Sequence, residues 1–152
     1  MDRYTAIQQV VSALKEIDGG ISPFNSAYTF KTNLFGGVEN HFVFVDEINS
    51  FPSVFVTAND ERIVHQLSNE RLSVLSLDIR GYTYDENVEE SGEELAEDIE
   101  HVLKHYQQWR DVVSDWPEGT LEDVRLNLIR TDCGLHAPYG VCMFVVVCLY
   151  IR

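Results

Sequence analysis

Near the start of the chain, Tyr4, Ile7, Val10, Val11, Leu14 and Ile17 recur at steps of three and four, so the pattern predicts an amphipathic helix opening after Asp2. Asp2 is placed to cap it by accepting from an early backbone amide. The helix is expected to stop at Asp18-Gly19-Gly20, where glycine tolerates positive φ, with Pro23 just beyond. From Phe24 to Ser50 the period is lost. Asn33-Leu34-Phe35-Gly36-Gly37 reads as a turn and Phe42 to Val45 as a run of strand formers, within an aromatic arm over about residues 24–50. Such an arm suits either the covering of a neighbouring subunit or a surface loop pinned by its own aromatics.

Pro52 opens a short strand through Val54, Phe55 and Val56, and Asn59-Asp60 is a turn candidate. Leu75, Leu77 and Ile79 alternate with Ser76, Asp78 and Arg80, which predicts a strand over 71–82, antiparallel to its predecessor. Leu95, Ile99, Val102, Leu103 and Tyr106 return to helical spacing, with Ser91 or a neighbour as cap and Glu94 as its reciprocal partner. Trp116-Pro117-Glu118-Gly119 is a turn signal, and Val124, Leu126 and Leu128 then alternate with Arg125, Asn127 and Ile129. The last run, Val141 to Ile151, is apolar on both parities, as expected of a central strand covered on both faces. The order predicts an α+β fold: a single mostly antiparallel sheet of about four or five strands, flanked by an N-terminal helix and a central acidic helix. At 152 residues the chain is expected to be one domain.

Charge changes this picture most. Twenty-five acids oppose eleven bases, for a net −14, and nine of those acids fall between Asp85 and Glu100. Acids early in that helix complement its positive end, while His101, Lys104 and His105 lie toward the other. Lys15, Lys31 and Lys104 are the only lysines, too few for a phosphate-binding face, so stable nucleic-acid binding is disfavoured, whereas a surface that repels a passing polyanion is not. The longest apolar run is about half a bilayer span, which argues against a membrane partner. The opening Met1-Asp2-Arg3-Tyr4 lacks the features of a secretory signal, and synthesis in the cytoplasm is expected. Cys133, Cys142 and Cys148 then read as small core hydrophobes.

Candidate chemistry is thin. Glu97, His101 and His105 have a spacing that could put three metal ligands on one helix face, but Val102 stands where the zinc-protease pattern requires Glu, and a solvated face explains the spacing better. Cys133 and His136 lack an evident third ligand, and Cys142 and Cys148 lack the Cys-x-x-Cys spacing. The serines lack the Gly-x-Ser-x-Gly elbow, the pairs Gly19-Gly20 and Gly36-Gly37 lack the setting of a phosphate cradle, and the acids do not form a calcium loop. No catalytic, cofactor-binding or metal residue is therefore assigned. The apolar loop Gly134-Leu135-His136-Ala137-Pro138-Tyr139-Gly140 is unusual for a hairpin, and either folds onto the core or is buried by another chain.

The chain resembles the tail terminator, or tail completion, proteins of long-tailed non-contractile bacteriophages, the group of the lambda terminator. The resemblance rests on Asp2-Arg3-Tyr4-Thr5-Ala6-Ile7, on Asn33-Leu34-Phe35-Gly36, and on Phe51-Pro52 entering a strand. It continues in Tyr82-x-Tyr84-Asp85 before the acidic helix and in Thr131 to Gly140 before the last strand, and is least in 105–122. It implies a virion protein at the head-proximal end of the tail, made in the host bacterial cytoplasm. Such a protein forms a homo-hexameric ring on the tail tube protein, stops polymerisation and meets a head-completion or connector protein, while genomic DNA passes through without stable binding. The expected subunit or tube contacts are Phe24, Tyr28, Phe30, Leu34, Phe35, Phe42, Leu135, His136, Pro138 and Tyr139. The competing reading is a monomeric acidic adaptor or inhibitor that binds a basic partner protein.

Overall fold

The computed structural model describes residues 1–112, 121–132, 135 and 137–152. Helix α1 is Arg3–Leu14, and the Asp2 side chain accepts from the Thr5 amide at 2.7 Å as the spacing predicts. It ends earlier than expected, because Glu16 and Ile17 donate to Ala13 and Leu14 in tighter i→i+3 turns. Gly19 does take a positive φ of 80°.

Five strands form one mixed sheet in the order β1-β2-β3-β5-β4. Strand β1 is Val38–Glu39, β2 is Ser53–Leu67, β3 is Glu70–Tyr84, β4 is Asp123–Thr131 and β5 is Tyr139–Ile151. Only β1 against β2 is parallel. The turn expected at Asn59-Asp60 is a correction: β2 runs through it with a register shift between Ala58 and Glu61, and Ser68 and Asn69 join the hairpin. Exposure on both sides of the hairpin's far half removes the alternation that would have marked it as strand. The run Phe42 to Val45 is not a strand either. It passes over the sheet into a 3-10 turn at Val45–Glu47.

Helix α2, Val88–Lys104, crosses β3, β5 and β4, and α3, Tyr106–Val112, follows it. Asn87, not Ser91, precedes α2. Ser91 lies inside the helix, where its hydroxyl donates to Thr83 Oγ1 at 3.1 Å and approaches the Val88 carbonyl at 3.2 Å. Close approach to the sheet depends on Gly81, since a Cβ there would stand 2.7 Å from Cys142 Sγ and 2.8 Å from Leu95 Cδ2. No helix among the described residues is long and apolar enough to cross a membrane.

The core lies between the helices and one face of the sheet, where Leu75, Leu77, Ile79, Phe144, Val146 and Tyr150 are fully buried. Cys142 and Cys148 are buried there too, and burial pushes both thiols up to about 12. Cys133 lies outside the described residues. Central β5 was expected to be covered on both faces, but in the single chain only the helix side is. Val141, Met143, Val145, Val147 and Leu149, on the other side, are half-buried.

Candidate assembly surfaces

The arm divides into an inner and an outer part. Residues 22–34 are drawn inward by Asp98 of α2, which is fully buried. Its carboxylate accepts from Tyr28 Oη at 2.7 Å, from the amides of Lys31 at 3.0 Å and Thr32 at 2.8 Å, and from Thr32 Oγ1 at 2.6 Å. Charge-assisted bonds of this kind hold an otherwise aperiodic segment in one conformation. His101, one turn further along α2, is 7% exposed and makes a 2.7 Å hydrogen bond through Nε2 to the Ser22 hydroxyl. Tyr28 stacks on the His101 ring, and Phe24 and Phe30 meet it edge-on. Burial first, and the neighbouring His105 second, hold the His101 imidazole below its ordinary value, against a smaller opposing pull from Asp98. Glu97 pairs with Lys31, and His105 Nδ1 lies 2.9 Å from the His101 carbonyl. Glu97 and His101 are thus engaged in attaching the arm, while His105 is held against His101.

Phe24, Phe30 and Leu34 are therefore buried in this chain's own core and offer little surface to another subunit, while Tyr28 packs against that core half-buried. Phe35 differs. Its backbone takes φ 50°, followed by Gly36 at 74°, while the Gly37 amide donates back to Leu34 O and the Phe35 amide donates to Asn33 Oδ1 at 2.8 Å. A left-handed φ is costly for a bulky residue. The turn nevertheless holds Phe35 outward, 84% exposed.

The outer arm lies over one end of the open sheet face. Phe42 packs edge-on against Phe44 with centroids 5.0 Å apart, and the Arg80 guanidinium sits 5.4 Å from the Phe42 ring centre. Between this arm and the sheet is an apolar cavity of about 440 Å³, lined by residues 42–45, Tyr82, Ala137, Tyr139 and Val141. Tyr139 is half-buried in a cluster with Phe51 and Tyr84. Leu135 and Pro138 are exposed, and His136 lies outside the described residues.

Sequence reasoning missed Phe44, Tyr84 and two adjacent apolar pairs, Ile63-Val64 and Leu128-Ile129, all exposed. Each pair breaks strict alternation inside a polar strand, and that break was the available signal. The exposed acids Glu89, Glu90, Glu93 and Glu97 belong to α2, which packs on the opposite side of the sheet from the half-buried valines. The acidic helix and the half-buried valines thus lie on opposite sides of the sheet, with Asp78, opposite Val145, on the valine side. Among the described residues, no three ligating side chains converge on a metal position. No curated protein matches the chain. Residues 1–152 match the family model described as Bacteriophage Tail Tube Terminator Protein.

Proposed function

Because this chain belongs to the Bacteriophage Tail Tube Terminator Protein family, we propose that it caps the tail tube as a ring of six copies, ends tube polymerisation and offers its other side to a head-completion or connector protein. The match over all 152 residues carries this reading. The chain is a structural component of the phage tail. Exposed Phe35 and the half-buried valines of β5 support a role in contact between subunits.

A ring of identical copies needs a head-to-tail contact whose rotation closes. Apolar cover would stabilise that contact by about 25 cal/mol for each Å² removed from water, less the cost of ordering and association. Tyr28, Phe35, Phe42, Leu135, His136, Pro138 and Tyr139 remain the candidates for subunit or tube contact. Carboxylates facing the opening would repel DNA in transit. Light scattering on the purified chain, alone and with tail tubes, is expected to find a particle near 104 kDa, about six times 17.4 kDa. Electron microscopy of tails made without the protein should show tubes of uncontrolled length or tails without heads. A chain that stays monomeric even on tubes, or tubes of normal length in its absence, would overturn the reading.

A further inference from the structure

Among the described residues the sheet has two open edges that face in opposite directions. Among the described residues β4 has no partner on its outer side, and β1 covers β2 only at Val54 and Phe55. The ladder fixes which backbone groups point outward. The Asp132 amide donates to Val141 O at 3.1 Å, so alternation along the β4–β5 register turns the amides of Ile129 and Thr131 away from β5. On β2 the Val54 amide donates outward to Gly37 O, opposite Gly81 of β3. The same odd-numbered β3 partners recur at Glu61 and Ile63, whose amides therefore also face outward.

A long uncovered edge is an aggregation hazard that soluble proteins ordinarily blunt with lysine, proline or a covering loop. Neither edge here has lysine or proline; the protection present is a register shift at Leu126/Leu128 on β4 and two on β2, at Ala58/Glu61 and Ile63/His65. Each instead exposes an apolar pair, Ile63-Val64 on β2 and Leu128-Ile129 on β4. Charge does not distinguish the edges in the same way, because Arg125 already pairs with Asp123 of β4, and Glu61 of β2 with Arg152 and Tyr150. Through β3 and β5, β2 runs antiparallel to β4. Rotation about an axis along the strands keeps strand direction, so the β2 of the next copy would reach β4 antiparallel.

We propose that the outer edge of β4 pairs strand to strand with the outer edge of β2 in a second copy of this chain, and that this backbone ladder is the contact which repeats around the ring. The inference rests on the ring reading above. The contact is heterologous, with each copy using one edge of each kind.

The test uses Ile129→Pro and Ile63→Pro, which delete one outward amide each and leave the ladder within the chain intact. Ile129→Lys and Ile63→Lys are the second pair, for use if a proline variant does not fold by circular dichroism. Native mass spectrometry should find the wild-type chain in rings, alone or on tail tubes, and each variant as a 17.4 kDa monomer. A mixture of one β4 variant with one β2 variant keeps a single working pair of edges, so it should give a two-chain species of about 35 kDa and nothing larger. Rings from either folded variant, or from the mixture, would overturn the edge contact while leaving the ring reading in place. Wild type that never assembles, even on tubes, would overturn the ring reading itself.

Discussion

Tyr28 lies flat on His101, with ring centroids 3.9 Å apart and planes 9° from parallel, and joins the arm to the acidic helix across 73 residues of chain. Seen from His101, the groups around it are Tyr28 and Ser22 from the arm and Asp98 and His105 from its own helix, with Glu97 and Glu100 nearby at the rim. The folded protein holds this imidazole neutral below its ordinary value, so the unfolded chain takes up the proton first as pH falls. Stability contributed by neutral His101 is whole above about pH 6.5 and is lost as pH falls from there through the folded value. Urea midpoints measured from about pH 7.5 down to about pH 5.5 should fall in the wild type and fall less in His101→Gln.

Asp98 makes a second, sharper prediction. Asn in its place would present an NH₂ group where the Lys31 and Thr32 amides need acceptors. A loss of about 3 kcal/mol is expected for Asp98→Asn, read as a lower melting temperature, with hydrogen exchange speeding first at residues 31 and 32. Unchanged exchange there would show that the carboxylate does not hold the arm.

Phe35 separates subunit stability from assembly. Asn tolerates the left-handed backbone better than Phe does, and at 84% exposure the Phe ring contributes little to the single chain. Phe35→Asn should leave the melting temperature unchanged or raise it slightly while weakening association by tenfold or more, measured by light scattering across a dilution series.

Gly81→Ala is expected to cost about 1–3 kcal/mol, because its new Cβ meets Cys142 Sγ and Leu95 Cδ2 at the centre of the core. Cys142→Ala in the same chain should recover part of that loss. Strict additivity of the two changes would show that the contact does not matter.

The first helix, the strand at 71–82 and the acidic helix were legible because one face of each is buried, and burial on one face leaves a period in the sequence; the last strand was legible from its unbroken apolar run instead. The far half of β2 was not legible, since exposed residues on both sides leave no period there. Inside the arm, Phe24 and Phe42 carry the same side chain and flank similar composition, yet one is in the core and the other half outside. What separates them is Asp98, a carboxylate more than fifty residues away that pulls only the inner part down. Aromatic content could mark the arm but could not say which of its rings faced outward, because that depends on a tertiary hydrogen bond.

The uncovered valines of β5 also set how assembly should respond to temperature. A contact that covers Val141, Val145 and Val147 draws on the release of ordered water, and that driving force fades in the cold. Chilled subunits would drift apart and regather on warming, so a sample kept on ice would understate how firmly the same protein associates at growth temperature.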